Sequence, residues 1–520
     1  MFRILKDLLT GKNVKEQKHE TNKKQLSKSL EENISIFKEI FDNDNTIIFR
    51  NLETQKPDSI NCSLIFVDGM IDKEIVNENI LLPIMNNTIS KDIDNSNLLD
   101  FLIKKIIISD DIKKSTDIDE IVGSIVYGDT ILIVDGLDEV LILNTKGWSF
   151  RSINEPSSEL VVRGPREGFI ESILVNTSLI RRKIRNSGLK FEFKEIGART
   201  KTKVSLCYVD NLVNKKVLEE LKSRLDKIDI DSILESNYIE ELICDSPFSP
   251  FETIGYTERP DVVAGKLLEG RVAILVDGTP VVLTVPFLFI EYFQSNQDYY
   301  NFYFFASFNR LLRYIAFFFT TSIPAIYLSL VTFHQEMLPT PLLLSISSAR
   351  DSVPFPTILE ILIMLLIFDI LREGGIRLPE PVGAAISIVG ALVIGEAAVA
   401  AKIVSAPIVI VISLTGISAF LIYQMKGGII FARFILLFFS SFLGLYGYMF
   451  GIIGLFIHLM SMRSFGIPYM LNVGALNKQD VKDTTVRAPW WYMDYRPKLI
   501  SKVDSIRESN TANKKDKDNS

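Results

Sequence analysis

A chain of 520 residues, 47% of them hydrophobic and with a net charge of −6, has room for a membrane bundle plus one or two soluble domains. So mild a charge argues against nucleic acid as a partner. The mean hydropathy of +0.22 conceals a segregation: roughly the first 280 residues read as soluble, about the next 180 as membrane and the rest as a polar tail.

Residues 1–30 are rich in Lys, Glu, Asn and Gln and are expected to form a polar, partly disordered lead-in. Met1–Thr10 is too short for a secretory signal, so the region that follows is expected in the cytoplasm. Cys62, Cys207 and Cys244 are widely spaced, odd in number and form no CxxC, which suits a reduced compartment.

The soluble region repeats one local theme. Apolar, β-branched runs close in Asp-Gly at Leu64–Gly69, Ile131–Gly136 and Ala273–Gly278, and a fourth, Val204–Asp210, closes in Asp-Asn. Such runs are strand-plus-turn signals, and helical patterns such as Phe169–Asn186 and Leu212–Lys227 follow some of them. The fold class expected is an α/β cytoplasmic domain in two lobes, residues 31–115 and 116–285, dividing near Asp110–Ile121. Turn geometry accounts for the Asp-Gly carboxylates better than a binding role does.

Arg163-Gly164-Pro165-Arg166-Glu167-Gly168-Phe169 is the densest polar motif, and the helix after it carries Arg181, Arg182, Lys183 and Arg185. An anion site at a helix start is one reading. No Walker loop or Gly-x-Gly-x-x-Gly accompanies it, which favours an ion-pair interface between lobes or subunits through Arg163, Arg166, Glu167, Arg181 and Arg182. The three histidines, His19, His334 and His458, are too scattered for a metal site, and no HExxH or GxSxG occurs. No catalytic residue, cofactor or metal is expected, and the chain does not read as an enzyme.

Residues 286–310 are crowded with Phe and Tyr among Glu291, Gln294, Asn296 and Asp298, and are expected to form an interfacial aromatic collar. The α-helical polytopic membrane domain follows over 311–462. Three runs, Tyr314–Phe333, Ile403–Met425 and Phe434–Met462, lack Asp, Glu, Lys and Arg, and each reaches the roughly 20 residues a bilayer requires. Between them, Glu360, Asp369, Glu396 and Lys402 interrupt shorter apolar runs, and ionisable groups at that depth usually face protein or a water-filled path. Pro354–Leu371 reads as a short helix, and Gly374-Gly375 as a tight turn. From Pro381 onward, Ala384, Ser387, Ala391 and Ala398 make a stripe of small residues suited to close packing. Ile386, Val389, Val393 and Glu396 lie round the same helix. Set about a symmetry axis, that face gives apolar rings followed by a carboxylate ring, which suits a cation pore. The alternative is a buried helix whose Glu396 pairs with Lys402. Gly444, Gly447, Gly451 and Gly454 allow a bend or a close face in the last run. The Lys/Arg-rich tail, 463–520, argues for a cytoplasmic carboxy terminus and an even number of crossings, four or six.

The series RGPREGF (Arg163–Phe169), IGARTKT (Ile196–Thr202), TERPD (Thr257–Asp261), LLEGRVAILVDGTP (Leu267–Pro280), FQSNQDYY (Phe293–Tyr300), ILREGGIRLP (Ile370–Pro379) and SFGIPYM (Ser464–Met470) resembles the A subunit of the GerA-type spore germinant receptors. The resemblance spans Ile121–Trp491. It implies a multi-pass protein of the inner spore membrane, partnered by a transporter-like B subunit and a lipoprotein C subunit. It also implies a homo-oligomeric ring, a pentamer, acting as a nutrient-gated ion channel in contact with membrane lipids. Relatives often carry an amide at the Glu396 position and Gly at the Lys402 position, so ion selectivity does not carry over. The competing functions are a secondary transporter, for which the membrane part shows no repeated halves, and a membrane scaffold subunit without conduction of its own.

Overall fold

The computed structural model describes residues 25–55, 60–86, 95–147, 159, 161–377, 393–471, 483, 484 and 486–490. Two compact units divide the chain: Met1–Ser149 with Arg185–Ser187, and Phe150–Ile184 with Gly188–Ser520.

In the first unit, α1 (Leu30–Ile40) starts where the Ser29 hydroxyl accepts from Glu32 N, with Glu31 and Glu32 in its first turn and Lys38 in its last. Strands β1 (Ile47–Glu53), β2 (Asn61–Val67), β3 (Ile112–Ser115), β4 (Thr130–Val134) and β5 (Val140–Leu143) form an antiparallel sheet ordered β1-β2-β4-β5-β3. Helix α2 (Ile118–Val126) packs with α1 on one face, where Phe37, Ile121, Ile131 and Ile133 are buried. Leu132, Val134, Leu141 and Leu143 point to the opposite face. A strand with both faces covered must be apolar at every position, which explains the unbroken Ile131–Val134 run. The sheet also corrects the expected divide at Asp110–Ile121. β3 precedes that point and β5 follows it, yet Ile112–Ser115 pairs with Leu143–Val140. Pairing across some 30 residues leaves no local mark on the sequence.

The second unit repeats the plan. After α3 (Ile173–Lys183), strands β6 (Leu189–Ile196), β7 (Thr202–Val209), β8 (Gly255–Thr257), β9 (Val272–Val276) and β10 (Val282–Val285) form an antiparallel sheet ordered β6-β7-β9-β10-β8. Helices α4 (Lys215–Asp226) and α5 (Ser236–Ile243) lie between β7 and β8, and α6 (Pro260–Leu268) follows β8. The topologies coincide, and so do the turns. Asp135 Oδ1 accepts from Leu30 N at the start of α1 (3.2 Å), as Asp277 Oδ1 accepts from Ile173 N at the start of α3 (3.1 Å). Gly136 N donates to Lys28 O and Gly278 N to Glu171 O. Both glycines have positive φ, 85° and 91°. Asn33 and Asn176 each close the loop before their helix by paired bonds to Ser27 and Ile170. The recurrent Asp-Gly is therefore a helix-capping device in two copies of one fold.

The helical region belongs to the second unit. Helix α7 (Tyr303–Thr332) is long and apolar enough to cross a membrane, and so is α11 (Lys426–Ser461). Between them lie α8 (Thr340–Arg350), α9 (Thr357–Arg377), a helical stretch over 393–400, and α10 (Ala406–Phe420). Three expectations change. The Ile403–Met425 run gives only a 15-residue helix, because Ser405 and Pro407 start α10 late. Gly374 and Gly375 stay helical inside α9. The 286–310 stretch is not all collar: Phe287, Phe289, Tyr292 and Phe293 form a buried core with Met425, Met462 and Tyr469. Phe304, Phe305 and Phe308, at the start of α7, are exposed.

Gly444 breaks α11 at φ 60°, ψ −136°. The two arms turn back on each other there. A Cβ on Gly451 would stand 2.9 Å from Leu436 and one on Gly447 2.0 Å from the Phe439 carbonyl, while Gly428 and His458, near opposite ends, both meet Phe251. The last apolar run is a helical hairpin whose bend abuts Phe333 and His334 at the end of α7.

Candidate functional site

A cleft of about 1010 Å³ opens where the second sheet meets the helical region, lined among others by Glu252, Arg259, Lys266, Tyr300, Arg313 and Gln424. Three buried charge networks surround it, and they tie together stretches far apart in sequence.

In the first, Arg259 is 2% exposed. It donates to Asp261 Oδ2 (2.8 Å), to the Pro165 carbonyl (2.8 Å) and to the Glu159 carbonyl (3.2 Å). Asp261 also accepts from Tyr300 Oη (2.6 Å) and Asn296 Nδ2 (3.1 Å). Burial alone would raise the Asp261 carboxyl, but Arg259 and Tyr300 outweigh it and hold it below the usual range. Phe169 N donates to Glu258 O at 2.8 Å. Thus Arg163–Phe169, Thr257–Asp261 and Phe293–Tyr300 meet at one place.

The second joins Arg271 to Glu291, both buried, with Lys266 Nζ 3.3 Å from the same carboxylate. Burial works against the Glu291 charge, yet Arg271 and Lys266 keep it ionised below its ordinary value. Glu291 also accepts from Leu288 N (2.7 Å), so the pair fixes the chain between the sheet and α7.

The third lies at the entry to α7. Asp298, 1% exposed, accepts from Arg310 Nε at 3.0 Å and from both terminal nitrogens of Arg313 at 2.8 Å. Arg310 reaches on to Asp483, bonding its carboxylate and its carbonyl at 2.8 Å. Tyr299 Oη donates to Asp483 Oδ2 (2.6 Å), and the Arg487 guanidinium stacks over Tyr299 and Trp490. Residues of the tail are thereby strapped to the first turns of α7. The Ser464–Met470 motif is held similarly: Ser464 Oγ donates to Thr253 O (2.6 Å), Phe465 N to Asp245 Oδ2 (2.6 Å) and Tyr469 Oη to Glu252 O (2.7 Å). Charge-assisted bonds between buried groups are strong and geometrically specific, so the three networks fasten the second sheet to the helices.

The arginine motif does not assemble as one cluster. Glu167 pairs with Lys183 (2.9 Å) and Arg182 (3.6 Å), Arg181 is buried against the Phe191 ring, and Arg163 and Arg166 are exposed. Of the pore-face residues, Ile386 and Val389 lie outside the described residues. Val393 and Glu396 are exposed, while Ala398 is buried. Lys402 has a φ of 58°. Its N–H donates to Val399 O and the Ile403 N–H to Ala398 O, so it occupies the left-handed position that ends the 393–400 stretch, where glycine is usual. Sequence reasoning missed Arg271–Glu291 and Asp298–Arg310–Asp483. The available signal was charge within an aromatic stretch, namely Glu291, Asp298, Arg310 and Arg313.

Residues 35–499 match the family model of the Bacillus/Clostridium GerA spore germination protein. Spore germination protein KA of Bacillus subtilis (strain 168) is 43% identical over 485 residues, covering 93% of this chain and 89% of that protein. Spore germination protein B1 of the same organism is 36% identical, covering 93% of this chain and 100% of that one. Among solved structures, the N-terminal domain of the A subunit of the Bacillus megaterium spore germinant receptor GerK3 is 36% identical, covering 51% of this chain and 98% of that chain with a TM-score of 0.42. The chain belongs to the GerA family of spore germination proteins, the A subunits of germinant receptors.

Proposed function

We propose that this chain is the A subunit of a nutrient receptor of the inner spore membrane, and that a ring of five copies forms an ion channel opened when nutrient binds. A transporter-like B subunit and a lipoprotein C subunit complete the complex. The observation that carries this reading is the outward face of residues 393–400. Val393 is 54% exposed and Glu396 is exposed, while Ala398 packs inward. An exposed Val/Glu face in an otherwise apolar bundle suits a water-filled axis. Ile386 and Val389, the other two residues of the proposed pore face, lie outside the described residues.

The helices support a six-pass arrangement with both ends of the membrane domain on the cytoplasmic side. Lys426 Nζ bonds Glu373 (2.8 Å) near the sheet end, and Ser405 N bonds Glu360 (2.8 Å) at the far end. Helices α7, α9, α10 and the two arms of α11 supply five passes in this reading, and the segment to which the 393–400 stretch belongs is proposed as the sixth. The three charge networks then link the second sheet to the pore, and the exposed Arg163 and Arg166 offer a surface to a neighbouring subunit.

The test is current from the purified receptor complex in a planar bilayer, with and without nutrient. Nutrient-dependent current that falls when Val393 or Glu396 is replaced supports the reading. Currents indifferent to both replacements refute the pore assignment.

A further inference from the structure

Glu360 of α9 is fully buried, and the flanking Ile361 and Leu365 of the same helix pack into an apolar cluster with Leu328, Val404 and Ile408. A carboxylate in such a place needs partners on both oxygens. One oxygen has a partner: Oε2 accepts from Ser405 N at 2.8 Å. The other, Oε1, has no hydrogen bond among the described residues and stands 3.9 Å from Arg350 Nε, which has none among them either. The Tyr327 hydroxyl, electrostatically coupled to both charges, and the Ser405 hydroxyl are also buried and unbonded. Four helical elements, α7, α8, α9 and the start of α10, therefore bring unsatisfied polar atoms to one spot.

Ser405 is placed to matter. It follows the left-handed turn at Lys402 that ends residues 393–400, and the Ala398 carbonyl accepts from both Ile403 N and Val404 N. The end of that helix and the start of α10 are thus one rigid corner, and Glu360 is its fastening to α9. Arg350 ends α8, a short helix capped by Pro339, with Pro341 in its first turn and Pro354 and Pro356 beyond its end.

We infer that Glu360 is a positioning residue that fixes the corner at the end of the Val393–Glu396 helix, and that Arg350 acts on the pore by closing onto its free oxygen. The inference rests on the pore reading for its effect on current, though not for the fastening itself. With Arg350 at 3.9 Å the pair is unclosed. A small shift of α8 brings Nε within hydrogen-bonding distance of Oε1, draws on the same carboxylate that holds Ser405, and so biases the corner between two packings.

The experiment uses the full-length chain in its receptor complex, in lipid. Glu360→Gln keeps an acceptor for Ser405 N, whereas Glu360→Leu removes it. Hydrogen exchange over residues 398–406 is expected to stay within about threefold of wild type in the first and to rise about tenfold or more in the second. Unchanged exchange in Glu360→Leu overturns the fastening. In the current arm, Glu360→Gln and Arg350→Gln each change the ratio of nutrient-independent to nutrient-dependent current by about fivefold, and the double variant changes it no further, as for partners in one interaction. Multiplying effects, or none, overturn the Arg350 coupling. Absence of current from the wild-type complex refutes the pore reading and leaves the exchange result to decide the fastening. If Glu360→Leu does not fold, the two Gln variants still decide the Arg350 coupling.

Discussion

Asp298→Asn is the sharpest test of the junction. The side chain is 1% exposed and takes three charge-assisted bonds of 2.8–3.0 Å from Arg310 and Arg313. Removing its charge leaves Arg310, 0% exposed, with Asp483, whose side chain is 30% exposed, as its one carboxylate among the described residues. Breaking a buried pair from one side costs about 3–5 kcal/mol, and an Asn oxygen that still accepts one bond keeps the loss near the lower bound, about 3 kcal/mol. Asp483→Asn, nearer solvent, should cost about 1 kcal/mol. Urea unfolding of the full chain in detergent micelles, followed by circular dichroism, measures both. Burial raises the Asp298 carboxyl, but Arg313 and Arg310 lower it further, so the net shift is downward. A depressed carboxyl stabilises above its unfolded value and loses that contribution as pH falls through the folded value. The gap between wild type and Asp298→Asn should therefore be full at pH 7 and shrink below about pH 4. A loss under about 1 kcal/mol at pH 7, or a gap that widens in acid, refutes the reasoning.

Gly444→Ala forces a side chain into φ 60°, ψ −136°, with its Cβ 2.8 Å from Phe333 and 3.0 Å from His334. The loss should be about 2 kcal/mol or more, seen as a lower thermal midpoint in detergent. Lys402→Gly should do the opposite and stabilise by about 1 kcal/mol, because the left-handed turn no longer carries a Cβ. Glu240 is pushed up to about 8 by burial, then by Glu252, Glu235 and Glu241. A raised acid stabilises below its unfolded value and loses that contribution as pH rises toward the folded one. Wild type should thus lose thermal stability between pH 5 and 8 relative to Glu240→Gln, with the gap constant above about pH 8. A gap that does not grow with pH contradicts the burial of that carboxyl.

Much of the fold was legible because its cause is local. Ile131–Val134 and Ala273–Val276 are apolar at every position, which only a strand covered on both faces requires, and Asp-Gly marks the turn that ends each. What remained hidden was why the motif recurs. Asp135 and Asp277 cap helices that begin about 105 residues earlier, and nothing in a local window links them. The domain boundary failed for the same reason, since β3 finds its partner only after α2 and β4 have intervened.

By itself, then, the sequence determined the family, the α/β character of the first half and the apolar, helical character of the second. Each of these depends on composition, period or motif order. Tertiary structure alone decided the rest. It made Gly444 the bend of a hairpin, turned Phe287–Phe293 into a core, and gathered Arg259, Arg271, Asp298 and Asp483 around one cleft. Those outcomes depend on which distant side chains supply partners for buried charges. A buried charge holds its place only when such partners exist, and a linear pattern does not record where the chain brings them.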